Sequence, residues 1–239
     1  MGSDVPHLDL LHRISGIVSS NRTLDQMLNE LVALTGEVTR SDACLVYLLD
    51  TDSDEIVLRA SQIPHAFEMG ALRLHVGEGV TGWVAEHKSV VSLSSNASAD
   101  KRFKRFPALT EDTFEAFLSV LLVAGGEAIG VINVHHREPH EYEPEEIALV
   151  SFIGEQMGAA IVRARLGEEN ARLQEETLEM KRQLETRKLV ERAKGILQQR
   201  LHLTEEDAYL QLRNESRRRR RPMRELAEAI IGGEEPGDS

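Results

Sequence analysis

The sequence predicts an α+β chain in three parts: an antiparallel sheet with helices, one long coiled-coil helix, and a small all-α unit of three helices. Three observations carry this. Runs of β-branched and aliphatic residues, joined by turn signals, follow one another between residues 43 and 136. From Pro144 a helical pattern continues for about forty residues without a Gly-Pro break, longer than ordinary globular helices. Three short apolar stripes at helical spacing then close the chain.

In order along the chain, Leu8, Leu11, Ile14 and Val18 mark a first helix, and Leu24, Met27, Leu28, Leu31, Thr35 and Val38 mark a second. "ACLVYLLD" and "EIVLRASQ" read as strands around a polar turn, and "FLSVLLVAGGEAIGVINVHH" reads as a hairpin turning at Gly125-Gly126-Glu127. Between these pairs, "VGEGVTGWVAEHKSVVSL" reads as a glycine-punctuated loop, a short helix and a strand, followed by a polar loop from Ser94 to Pro107. In the long helix, Leu166, Asn170, Leu173, Thr177, Met180 and Leu184 alternate spacings of four and three, the seam of a heptad. Asn170 at an a position fixes register and a two-stranded state, so the expectation is a parallel homodimer. The closing stripes are Leu189, Val190, Ala193, Ile196 and Leu197; Ala208, Tyr209 and Leu212; and Met223, Leu226, Ala227, Ile230 and Ile231. Thr204 with Asp207 marks the start of the second helix of this unit, and Pro222 the start of the third. The tail "GGEEPGDS" is expected to be disordered.

Charge separates the two ends. Residues 1–166 hold 13 basic against 24 acidic residues, whereas the segment 187–224 holds 12 basic against 5 acidic. An acidic body repels polyanions and confines their contact to the basic unit. Five consecutive arginines, Arg217 to Arg221, repel one another at close range, and a polyphosphate partner would neutralise them. They coincide with Arg187, Lys188, Arg192, Lys194, Arg213 and Arg224 in one small unit, which points to nucleic acid. A solvated basic turn offset by Glu215 and Glu225 is the alternative.

The segment "RKLVERAKGILQQRLHLTEEDAYLQLRNESRRRRRPMRELAEAI" resembles an ANTAR domain, the three-helix RNA-binding module of bacterial transcription antiterminators. The resemblance rests on "AKGIL", on "TEEDAYLQLR" and on the apolar third helix. It implies a dimer that binds tandem stem-loops in nascent mRNA. Lys194 and Gly195 match the family's first-helix motif, and Arg221 and Arg224 match its basic positions around the third helix. With Arg187, Arg192 and Arg220 they form the candidate RNA-binding set. The sequence departs from the family at Arg220, where Asn is frequent, and at Pro222, where a basic residue is frequent. Separately, "GEGVTGWVAEHKSVVSL", "DKRFKRF" and "AIGVINVHHREPHEYEPEEIALVSFIGEQMGAAI" resemble a GAF domain, a small-molecule sensor fold with an antiparallel sheet. That resemblance implies an unidentified ligand between sheet and loops, and no pocket residue is assigned. The expected parts are 1–163, a GAF-like sensor; 164–186, a coiled-coil linker; 187–231, the ANTAR-like unit; and 232–239, the tail.

No catalytic set is present: there is no G-x-S-x-G elbow, Walker phosphate loop or H-E-x-x-H, so no enzymatic activity is expected. His135, His136 and His140 near an acidic run suggest a metal, but adjacent strand residues point to opposite faces, so none is assigned, and no cofactor is read. The lone Cys44, the absence of a leader-like N-terminus and the lack of a spanning apolar run give a cytoplasmic, non-membrane expectation. The function expected is a signal-responsive antitermination regulator. The alternatives are a signalling adaptor whose basic helices bind protein, and a DNA-binding regulator.

Overall fold

A computed structural model describes residues 4–20, 22–50, 53–62, 72–104 and 114–233. The end of the Ser94–Pro107 loop and most of the tail lie outside the described residues. The chain divides into two compact units at Leu166/Gly167.

The first unit opens with α1 (Asp4–Val18) and α2 (Leu24–Thr39). Thr23 begins α2 with a reciprocal capping box to Gln26, satisfying two otherwise orphaned donors. The strands β1 (Ala43–Asp50), β2 (Glu55–Ser61), β3 (Arg73–His75), β4 (Val91–Leu93), β5 (Ala116–Ala124) and β6 (Glu127–His136) form one sheet in the order β3-β2-β1-β6-β5-β4. Every pairing is antiparallel. The short β3 was not expected. The β5–β6 turn carries positive φ at both Gly125 (60°) and Gly126 (86°), a backbone that only glycine adopts without strain.

Alternation splits the strands between two faces. Cys44, Val46 and Leu48 of β1, with Ile132 and Val134 of β6, join α1, α2 and the first part of α4 (Pro144–Leu201) in the main core. Ala43, Leu45 and Tyr47 point the other way. On that second face, α3 (Gly79–His87) packs Val80 and Val84 against Phe117 and Val131. Gly154 and Gly158, one turn apart, bring α4 close to β5: a Cβ on Gly158 would stand 2.4 Å from the Val123 carbonyl oxygen. By length and composition alone, α4 contains one stretch apolar enough to cross a membrane, which qualifies the expectation that no such run exists. In this fold Val150, Ile153, Met157, Ala160 and Ile161 of that helix are buried in the core.

The second unit comprises the remainder of α4, then α5 (Glu205–Arg219) and α6 (Met223–Ile231). One difference from the sequence reading concerns its first helix, which is not a separate short helix but the C-terminal end of α4, 58 residues long. Its solvated stretch is laced by side-chain bonds one turn apart, such as Arg172 to Glu169 and Glu176. No proline interrupts it.

Candidate nucleic-acid interface

Among the described residues of the second unit, eight side chains are buried together: Val190, Ala193, Leu197, Ala208, Leu212, Leu226, Ala227 and Ile230. Tyr209, assigned to the second apolar stripe by its spacing, is 41% exposed and outside this core. The helix ends explain part of the arginine run. Thr204 caps α5 by accepting from the Asp207 amide at 3.2 Å, and Glu205, Glu206 and Asp207 sit at the positive end of the helix. Arg217, Arg218 and Arg219 fill the last turn, opposite the partial negative charge of its carbonyls. Arg220 then takes the left-handed conformation at φ 52°, its amide returning to the Arg217 carbonyl and the Arg221 amide to the Ser216 carbonyl, and Pro222 opens α6.

The arginines divide by partner. Arg218 and Arg219 share Glu215, Arg221 pairs with Glu225 at 3.2 Å, and Arg224 pairs with Glu228 at 3.0 Å and Glu185 at 3.8 Å. Among the described residues, Arg213, Arg217 and Arg220 have no carboxylate partner, nor do Arg187, Lys188 and Arg192 on α4. Arg192 and Gly195 fall on one solvent side of α4 together with Lys188, at spacings of four and three. A Cβ on Gly195 would meet nothing within 4 Å, so that side is bare backbone open to approach.

Lys194 is placed differently from the other six candidates. It is 7% exposed, and its Nζ donates to Glu191 at 2.9 Å and to Glu205 at 2.8 Å, tying α4 to the first turn of α5. Hydrogen bonds to Glu205 and Glu191 raise its pKa, so it is a committed cation. Along α4, Leu166, Leu173, Met180 and Leu184 are exposed. Of the polar seam positions, Asn170 accepts from Gln174 at 2.8 Å and Thr177 donates to the Leu173 carbonyl.

In the first unit, sequence reasoning missed a buried polar set on the sheet face under α3. Ser119 donates to Asn133 Oδ1 at 2.7 Å, and Asn133 Nδ2 donates to Thr81 Oγ1 at 2.8 Å. Two residues along β6, His135 lies between Phe114 and Phe117, its Nδ1 buried without a partner. Burial, with a smaller contribution from His136, pushes its pKa down to about 3, so the ring is neutral. His136 does face the opposite side, as strand alternation requires, yet His140 stacks on it at 3.9 Å and Glu146 bonds His140 at 2.8 Å. Their ligand atoms lie within 4.8 Å of one another. The two rings are nearly parallel, at 13°, so their in-plane lone pairs do not converge, and gathering them on one ion requires a ring to turn.

An antiparallel sheet domain and a basic three-helix module share this chain, with α4 running from the first into the second. A family model of the GAF domain matches residues 21–162, and one of the ANTAR domain matches residues 178–231. The chain therefore belongs to the GAF domain family and carries a C-terminal ANTAR domain, an architecture of signal sensing and regulation of transcription by antitermination. The GAF domain of a phosphoenolpyruvate-protein phosphotransferase from Coxiella burnetii is similar in structure, with a TM-score of 0.65 and 28% identity, covering 70% of this chain and 99% of that one. The corresponding Acinetobacter GAF domain gives 0.62 and 26%, covering 68% and 96%. The phosphoenolpyruvate-dependent phosphotransferase system protein of Escherichia coli strain K12 is 26% identical over 159 residues, 66% of this chain. This chain spans only 21% of that relative's length.

Proposed function

We propose that the protein is a signal-responsive antitermination regulator whose C-terminal module binds tandem stem-loops in nascent mRNA, as a homodimer paired along α4. The observation that carries the reading is the set of arginines without carboxylate partners, inside the span matched as an ANTAR domain. Such cations exchange counterions for phosphates at no cost in broken ion pairs. The exposed pairs at Arg221 and Arg224 are worth at most about 1 kcal/mol each, so phosphate displaces them readily. Arg187, Arg192, Gly195, Arg220, Arg221 and Arg224 therefore serve as the contact set, and Lys194 holds α4 to α5. The exposed Leu166, Leu173, Met180 and Leu184 supply the apolar seam of the dimer, with Asn170 and Thr177 setting its register.

The GAF domain receives the signal, a small molecule whose polar groups exchange hydrogen bonds with the Thr81–Asn133–Ser119 set. It acts on the module by changing the pairing of α4 between two arrangements. A regulator of nascent transcripts works in the cytoplasm.

Binding of the full chain to a tandem stem-loop RNA tests the reading, with duplex DNA as competitor and Arg220→Ala/Arg221→Ala in parallel. The expected outcome is affinity that falls steeply with salt, survives duplex competition and drops in the double variant. Displacement by duplex DNA would make the protein a DNA-binding regulator. No RNA binding at low salt, in dimeric protein with and without candidate small molecules, would turn the basic helices toward a protein partner.

A further inference from the structure

The arginine contacts proposed above hold phosphates, which carry no sequence information, so reading a stem-loop also needs a group that engages an unpaired base. Besides His202, in the turn between α4 and α5, the second unit has one aromatic side chain with which to do this, and it lies on a helix. Tyr209 is the sole Phe, Tyr or Trp after residue 166, and the fold leaves it outside the core although its neighbour Ala208 is fully buried.

Tyr209, Arg213 and Arg217 follow one another at intervals of four on α5, along one side of the helix over about 12 Å. The core-facing residues of α5, Ala208 and Leu212, lie on the neighbouring side. Neither arginine has a carboxylate partner among the described residues, whereas Arg218 and Arg219, on other sides of the same turn, are both tied to Glu215.

We propose that Tyr209 is the stacking platform for one unpaired base of the RNA loop, and that Arg213 and Arg217 hold the phosphates flanking it. The inference rests on the RNA-binding reading and adds to it the residue that recognises a base. A flat aromatic face accepts any base, so Tyr209 anchors the loop, and discrimination arises from the groups that reach the base edge.

The test uses the full-length protein and a tandem stem-loop RNA in which each unpaired loop adenine is replaced in turn by 2-aminopurine, whose fluorescence is quenched on stacking. In the parent protein, one loop position is expected to be quenched on binding. Tyr209→Phe keeps the quench and the affinity. Tyr209→Leu keeps apolar bulk on an exposed site and so preserves the fold, but loses the quench and weakens binding roughly 10- to 100-fold with the salt slope unchanged. Arg213→Gln and Arg217→Gln each reduce the slope of log affinity against log salt by about 0.7. RNA binding by the parent with Tyr209→Leu matching it in affinity and fluorescence overturns the assignment of Tyr209 and leaves RNA binding standing. Failure of the parent to bind stem-loop RNA at all removes both.

Discussion

The two units keep their ionisable groups in opposite ways. In the sheet domain, titratable side chains enter the core and are held neutral there: burial drives the His135 pKa to about 3 and raises those of Cys44 and Tyr142. In the helical unit the core is aliphatic, and apart from the buried Lys194, held as a cation by Glu191 and Glu205, the charges are mostly paired one helical turn apart at the surface or left free. The sheet domain thus carries buried groups whose neutrality ties its stability to pH, while the exposed pairs of the module answer to salt.

Acid should break this contrast first and hardest. The folded pKa of His135 lies near 3 against an ordinary 6.5, so the unfolded chain binds the extra proton between those values. Stability from this group is fully present above about pH 6.5 and falls as pH drops toward 3, by up to about 1.4 kcal/mol per pH unit. Urea unfolding of the sheet domain from pH 7 to 4 should show the slope, and His135→Gln should flatten it. A slope equal in parent and variant would assign the acid sensitivity to other groups.

Comparable in size is the effect of hollowing each core. Leu118→Ala in the sheet domain and Leu212→Ala in the module remove side chains that are both essentially fully buried, each at a cost of about 2–5 kcal/mol. A unit of the module's size rarely holds more than about 3–5 kcal/mol, so Leu212→Ala should unfold it, while the larger domain tolerates Leu118→Ala. Hydrogen exchange resolved along the chain checks this: protection should vanish in α5, α6 and the end of α4 for Leu212→Ala, and fall only partially in the sheet for Leu118→Ala.

The same contrast governs what was legible in the sequence. Wherever an element is set by its own pattern, the reading is close: the alternation of "ACLVYLLD", the Gly125-Gly126 turn, Thr204 as a helix cap and the GAF and ANTAR motifs. Three residues of β3 are too few to show a period, and the edge of an apolar stripe cannot be told from its centre by spacing, which is why Tyr209 reads as core. The end of α4 reads as a separate helix because its apolar stripe restarts at Leu189, although nothing there breaks the backbone. Lys194 reads as an RNA contact from its motif, and its tie between helices shows only once Glu205, eleven positions away, is folded onto it. The stacking of His140 on His136 likewise depends on the turn between β6 and α4, for which one sequence carries no periodic signal.

The smallest expected effect separates folding from binding at one residue. Arg220 sits at φ 52°, a conformation that costs an ordinary L-residue about 1 kcal/mol or more and that Asn tolerates, which gives a physical reason for the Asn frequent at this position in the family it resembles. Arg220→Asn should therefore stabilise the module by about 0.5–1 kcal/mol, seen as a rise of several degrees in its Tm. If Arg220 also contacts phosphate, the same change lowers the salt slope of RNA binding by about 0.7. A more stable module that binds RNA less tightly would mean that the strained arginine is kept for its charge. A rise in Tm with unchanged binding would mean that the charge at this position is idle, and that the contacts lie with Arg217 and Arg213, about one and two turns back along α5.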